Sequence, residues 1–429
     1  MRVCIESYGC TANQAEAEIM AGLLVKAGHS IVDEPNRADV IIINSCVVKT
    51  PTEDRLIFRL SELTKKFPKT PIIVTGCAPE AITTRLKAVV PGVNLVSTHH
   101  VTKIVQAVNA VAAGRIVELV GETRNIKLGL PRIRHNPVTA IVQIASGCIG
   151  DCSYCETRLA RGPLVSYPKG KILDEIKNAV REGCREIWLT AQDTAMYGLD
   201  TAGRPTLPEL LMAISKIPGD FYVRVGMANP SSILPIIDDL IKAYNSPRIY
   251  KFLHAPVQSG SDEILQVMNR RYKSADFERI VNEFRSAFNC QIWTDVIVGY
   301  PGETSKQFRQ TVDLLKRTMP DLVNVSKFWP RPNTPAASLE PLPPDIIKQR
   351  SEMISRLVTE LALKTNKKWV GWTGEILISM PGKKRGQWIG RNFAYKPILI
   401  NKSGNLLGKK IKAKVLDATA TTLIGWPVK

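Results

Sequence analysis

The chain has 429 residues, too many for one ordinary core, so two or three domains are expected. Its 44% hydrophobic content is that of a soluble globular protein, and its longest apolar runs are strand-length, which excludes a membrane span. A formal net charge of +19 points to a polyanionic partner, and nine cysteines argue for metal binding or catalysis rather than a disulfide framework.

The chain begins "MRVCIESYGC", a strand-like pattern without a signal-peptide core, so a cytoplasmic protein is expected. Residues 1–115 alternate two kinds of signal. "RVCIESYG", "DVIIINSC", "PIIVTGC" and "NLVST" read as strands, and "NQAEAEIMAGLLVKAG" and "EDRLIFRLSELTKKF" place apolar residues at helical spacing. This α/β alternation predicts a doubly wound parallel sheet covered by helices on both faces. The segment 116–137 reads as a linker.

A second alternation starts at residue 138. Its strands are "TAIVQIAS", "EIWLTAQD", "FYVRVGMA", "KFLHAPVQ", "CQIWTDVIVGY" and "LVNVSKFWP", with helical patterns such as "GKILDEIKNAVREG" between them. Six such units predict a partial (βα)6 barrel over residues 130–366, with its chemistry at the C-terminal strand ends. The proline-rich "RPNTPAASLEPLPPD" leads into a long helix ending near Lys367. Residues 367–429 then change to short strands with glycine turns, which predicts a small β-barrel.

"ASGCIGDCSYCETRLARG" places Cys148, Cys152 and Cys155 on the loop leaving the first barrel strand. No fourth cysteine or histidine is near. Three thiolates on one loop suit a 4Fe-4S cluster with one iron left open, which S-adenosylmethionine (SAM) can chelate. A zinc site completed by a distant ligand and three unrelated buried cysteines are the competing readings. Tyr154, the aromatic before the last cysteine, is a further candidate cofactor contact. A second trio, Cys10, Cys46 and Cys77, closes three strands of the first domain, about one βαβ unit apart. Strand ends of a doubly wound sheet line one crevice, so these thiols can converge; alone they read as buried strand-end cysteines, and beside the loop trio a second cluster is expected. Their neighbours Gly9, Ser45 and Gly76 are expected to leave room for it.

Together, "YGCTANQAEAE", "NSCVVKTPTEDR", "TGCAPE", the CxxxCxxC loop, "LTAQDTAMYG", "HAPVQSGSDEILQVMNRRY" and "KFWPRPNTPAA" resemble the radical SAM methylthiotransferase family over nearly the whole chain. "CSYCETRLARG" is similar to the subgroup acting on threonylcarbamoyladenosine of tRNA, although Glu156 stands where a basic residue is commoner and Asn333 where Gly is usual. The resemblance implies two 4Fe-4S clusters, SAM, a tRNA substrate, an electron donor protein, and an RNA-binding C-terminal barrel called TRAM. The implied activity is methylthiolation of carbon 2 of N6-threonylcarbamoyladenosine at position 37 of tRNA. Isopentenyladenosine tRNA and a ribosomal protein are the alternative substrates, and a non-enzymatic RNA-binding metal protein is the distant one.

Polar residues at or beyond the barrel strand ends are candidate SAM contacts: Gln192, Asp193, Arg224, Gln258, Ser259, Asp295 and Arg331. Ordinary loop solvation accounts nearly as well for any one of them. In the tail, residues 364–429 hold 14 Lys/Arg against only Glu375 and Asp417. With Trp388, Phe393 and Tyr395 interleaved, this is the composition of a tRNA-docking surface, unless those aromatics are barrel core.

Overall fold

The computed structural model describes residues 1–47 and 50–428, so Val48 and Lys49 of the "NSCVVKTPTEDR" motif lie outside the described residues. In the first domain, β1 (Arg2–Tyr8), β2 (Ser30–Val32), β3 (Val40–Ser45), β4 (Ile72–Gly76), β5 (Asn94–Ser97) and β6 (Glu118–Leu119) form one sheet in the order β2-β1-β3-β4-β5-β6. Every pair is parallel. Each residue of β3 and β4 is buried, because helices cover both faces and no side of these strands meets water. Two edge strands escape the sequence reading. Both are very short, and β6 draws part of the expected linker into the sheet.

The central domain contains β7 (Thr139–Gln143), a short antiparallel pair of β8 (Ala145–Ser146) and β9 (Val165–Ser166), then β10 (Glu186–Thr190), β11 (Tyr222–Val225), β12 (Phe252–His254), β13 (Gln291–Val298) and β14 (Leu322–Lys327). They make two parallel three-stranded sheets, β11-β10-β7 and β12-β13-β14. A bridge between Val223 and Ile249 joins the halves into an open barrel. β12 is shorter than "KFLHAPVQ" suggests. Pro256 lacks an N–H for the ladder, and Gln258 takes a left-handed φ of 66°.

In the last domain, β15 (Thr373–Pro381), β16 (Gln387–Arg391), β17 (Pro397–Asn401), β18 (Lys410–Ala418) and β19 (Leu423–Pro427) close a barrel in the order β15-β16-β17-β19-β18. Ile376, Ile378, Ile398, Ile400, Val415 and Leu423 form its core. It docks at the N-terminal ends of the central strands. Tyr395, 2% exposed, packs against Tyr250 and Phe252 with ring centroids 5.0 Å from each. The buried Lys396 ammonium donates to Asp321 Oδ1 at 2.7 Å and to Asn366 Oδ1 at 2.6 Å. Tyr395 is therefore an interdomain plug and not a face for stacking bases. Trp388 packs partly buried on the barrel core, and Phe393 lies against Trp369 and Trp372. Among the described residues no helix is long and apolar enough to cross a membrane.

Candidate active site

The strand register places the first trio of cysteines. Tyr8 pairs with Ser45, and Ser45 with Gly76, so Cys46 and Cys77 leave the sheet at one level and Cys10 follows a residue later. Cys46 stands between Cys10 and Cys77, within hydrogen-bond reach of both. It pushes their thiols down, Cys10 to about 6, while its own is pushed up. Cys10 is also the N-cap of the helix Thr11–Lys26, where the helix dipole favours a thiolate. Gly9 and Gly76 do not open a void, contrary to the expectation. A Cβ on Gly9 would come within 2.5 Å of Cys46 Cβ, and one on Gly76 within 2.5 Å of Ser45 O. With φ of +139° and +90°, the glycines let the strand ends close up and bring the thiols together.

Cys148, Cys152 and Cys155 line one wall of a cavity of about 700 Å³ at the C-terminal ends of the barrel strands. Three N–H groups point at their sulfurs: Gly150 N to Cys148 at 3.2 Å, Thr157 N to Cys155 at 3.4 Å, and Arg270 Nη1 to Cys152 at 3.2 Å. Burial pushes the Cys148 thiol up to about 12 and raises that of Cys155. Among the described residues no three His, Cys, Asp or Glu side chains are arranged to hold a single metal ion. Three soft thiolates ringed by N–H donors instead fit an iron–sulfur cluster, whose sulfurs accept such bonds. The same test is met by the first trio, with three thiols, a helix N-terminus and, as follows, a buried cation.

The helix Thr157–Arg161 links the two trios. It starts two residues after Cys155 and ends with Arg161 buried against the first domain. Arg161 donates to Glu16 Oε1 at 2.9 Å and to Asn13 Oδ1 at 3.3 Å, and the Cys10 thiol reaches that same Asn13 oxygen at 3.1 Å. Lys127 and Thr98 also donate to Glu16, at 2.7 and 2.6 Å. Burial pushes the Glu16 carboxyl up, but Arg161 and Lys127 outweigh it and hold it at about 2. A second bridge joins Arg331, on the cavity wall, to Glu53 Oε2 at 2.7 Å, on the helix Thr50–Lys66 beyond Cys46. Arg85 pairs with the same Glu53. Glu156 lies beside this bridge. Burial pushes its carboxyl up to about 7, with Arg331 pulling it down.

Of the expected SAM contacts, Tyr154, Gln192, Asp193, Gln258, Asp295 and Arg331 line the cavity. Asp193 is committed to the protein, accepting from Ala195 N at 3.1 Å, Asn229 N at 3.2 Å and Ser232 Oγ at 2.6 Å. Asp295 accepts from Asn324 Nδ2 at 2.6 Å and faces His254 Nε2 at 2.9 Å. Two expected contacts lie elsewhere. Arg224 points to the opposite end of the barrel, over the rings of Trp188, Phe252 and Tyr395. Ser259 is fully buried, its hydroxyl 3.3 Å from that of Thr311. Arg270, Asn229, Arg161, Glu16 and Glu53 were not singled out from sequence. For Arg161 the signal was present, since it lies in the quoted "ETRLARG".

An open parallel barrel with three thiols on its first loop defines a radical SAM protein. Residues 142–315 match the model of the Radical SAM superfamily, and residues 2–98 match that of Uncharacterized protein family UPF0004. The chain belongs to the family of threonylcarbamoyladenosine tRNA methylthiotransferases. It is 40% identical to the "Probable threonylcarbamoyladenosine tRNA methylthiotransferase" of Methanothermobacter thermautotrophicus, over 99% of both chains. It is 42% identical to the protein so named in Pyrococcus abyssi, again over 99% of both. The Homo sapiens "Threonylcarbamoyladenosine tRNA methylthiotransferase" is 34% identical, over 100% of this chain and 74% of that one. Among solved structures, the radical SAM methyltransferase TsrM from Kitasatospora setae shares the fold, with a TM-score of 0.59 at 14% identity, covering 78% of this chain and 77% of that one.

Proposed function

We propose that this protein methylthiolates carbon 2 of N6-threonylcarbamoyladenosine at position 37 of tRNA. Its end-to-end similarity to proteins named for that substrate carries the reading. The presence of two separate three-thiol sets supports it. Cys148, Cys152 and Cys155 would hold one 4Fe-4S cluster with SAM on its open iron, and Cys10, Cys46 and Cys77 a second cluster serving sulfur transfer. When bound, the first cluster would supply an electron that breaks a carbon–sulfur bond of SAM, leaving methionine and a carbon radical able to take hydrogen from an aromatic C–H.

The chain's own residues bind, orient and shield. Gly150, Thr157 and Arg270 place N–H donors on the loop sulfurs. Gln192, whose Oε1 is buried without a partner, has an acceptor for a SAM or ribose hydroxyl. Met196, Met227, Ile297 and Phe328 keep the cavity apolar where a radical must avoid water. The chain has only 5 histidines, in keeping with a reaction that does not turn on proton transfer at neutral pH. The basic small barrel supplies phosphate contacts to tRNA. An electron donor protein is required, and a cytoplasmic location follows from the substrate.

Nucleoside analysis of tRNA incubated with the reconstituted protein, SAM and a reductant tests the reading. The methylthio derivative of threonylcarbamoyladenosine is expected. Modification of isopentenyladenosine or of a ribosomal protein instead would overturn the substrate, and absence of SAM cleavage would overturn the chemistry.

A further inference from the structure

One buried carboxylate in the cavity makes no hydrogen bond to the protein. Glu156 is 3% exposed and lines the cavity, yet neither of its oxygens has a hydrogen-bond partner. Its backbone explains why it sits there. It directly follows Cys155 and precedes the helix Thr157–Arg161, whose far end is anchored by Glu16, so the backbone that carries it is fixed at the cavity wall. A buried acceptor without a donor is costly, and a carboxylate more so. The missing donor is therefore expected on a ligand.

The reading given under Proposed function supplies the ligand's chemistry, and the inference rests on it. A threonylcarbamoyl substituent carries a second N–H, a hydroxyl and a carboxylate beyond the N6–H common to modified adenosines. An isopentenyl substituent carries none of these. We propose that Glu156 accepts a hydrogen bond from an N–H or O–H of the N6 substituent, and so selects a polar, donor-bearing substituent over an apolar one. Arg331, a buried cation on the same wall whose charge is shared with Glu53, reduces the repulsion between Glu156 and the substituent's own carboxylate. A site built around such a bond rejects ligands that lack the donor, because binding them leaves the acceptor unpaired. SAM also carries a donor, its ammonium, and the test separates the two.

The experiment uses the iron-reconstituted, SAM-loaded protein and three anticodon stem-loop RNAs. These carry threonylcarbamoyladenosine, isopentenyladenosine or plain adenosine at position 37. Wild-type protein, Glu156→Gln and Glu156→Ile are compared by equilibrium binding at fixed salt, with iron content checked for each. Glu156→Ile is expected to weaken binding of the threonylcarbamoyl RNA by about ten- to a hundredfold. The other two RNAs should be affected little. Glu156→Gln, which keeps an acceptor, should lie between. The proposal is overturned if Glu156→Ile keeps the wild-type preference, weakens all three RNAs alike, or weakens SAM instead of RNA. Should Glu156→Ile fail to take up iron, an unchanged preference in Glu156→Gln together with unchanged affinity would also overturn it. A wild-type protein that does not prefer the threonylcarbamoyl RNA overturns the substrate reading itself, a result visible before any variant is examined.

Discussion

Arg161 Nη1 donates to Glu16 Oε1 at 2.9 Å, joining the segment after Cys155 to the helix after Cys10. Both side chains are almost wholly buried, and the same Glu16 oxygen takes Lys127 at 2.7 Å. Removing one member of such a network strands the others, at a cost of about 3–5 kcal/mol. Arg161→Ala should lower the thermal unfolding temperature and empty the first-domain site, bringing iron from about eight toward about four per chain. Because the Glu16 carboxyl is held at about 2, below its ordinary 4.5, its contribution is complete at neutral pH and is lost only as the pH falls toward that value. Glu16 therefore adds no slope to the stability difference between about pH 5 and 8, and any slope there belongs to the Cys10 and Cys77 thiols, which Arg161 also holds down.

Arg270 Nη1 touches the sulfur of Cys152, its Nη2 donates to Asn229 Oδ1 and Pro256 O, both at 3.1 Å, and its Nε donates to the Tyr272 hydroxyl at 3.0 Å. A cationic donor on a cluster thiolate stabilises the reduced, more negative state. Arg270→Gln should shift the loop cluster's midpoint potential to a more negative value. An EPR-monitored redox titration in a Cys46→Ala background, which isolates that cluster, gives the measurement. An unshifted potential would leave Arg270 with a packing role alone.

The two trios should fail differently. Cys152→Ala is expected to abolish formation of 5′-deoxyadenosine, whereas Cys46→Ala should retain some SAM cleavage yet insert no sulfur. Product analysis by liquid chromatography decides, and full cleavage by the Cys152 variant would contradict the assignment of that loop.

Trp329 is 56% exposed on the cavity wall, an unusual setting for so large an apolar side chain. An exposed indole in that place is suited to stacking on a nucleotide base. Trp329→Ala should weaken stem-loop binding by about 1–3 kcal/mol, with Trp329→Phe recovering part of it. Equal affinities for the three proteins would remove that role.

Deleting residues 367–429 is a poor test of RNA docking, because it would also withdraw Tyr395 and Lys396 from the central barrel. Lys383, Lys384 and Arg385 are exposed on the turn between β15 and β16. Replacing the three by Glu should weaken tRNA binding and flatten its salt dependence, by about 0.7–0.9 in slope for each phosphate no longer neutralised. The thermal unfolding temperature should hardly move. An unchanged slope would place the RNA elsewhere.

Much of the fold is legible in sequence because it rests on local periodicity. β3 and β4 are unbroken apolar runs bounded by polar residues, and they are strands buried on both faces. The five strands of the small barrel stand where the glycine turns bracket them. β2 and β6 were missed, at three and two residues too short to show a period. In the site, residues just past strand ends were found as a class. Which of them face the cavity was not, because the twist of each strand and the packing behind it decide orientation. Arg224 and Ser259 turn away from the cavity for that reason.

By itself the sequence determined the α/β class with its closing small barrel and marked out both cysteine trios, since periodicity, residue type and spacing are local features. Only the tertiary structure decided how those parts meet. It put Arg161 against Glu16, Arg331 against Glu53 and Tyr395 into the base of the barrel, pairings 145, 278 and about 140 residues apart in the chain. Such pairs leave no periodic trace, because each depends on where two separate domains come to rest. The unpartnered state of Glu156 belongs to the same class. A glutamate after a cysteine is ordinary in a sequence, and becomes a statement about a ligand only once its carboxylate is found buried with no hydrogen bond from the described residues.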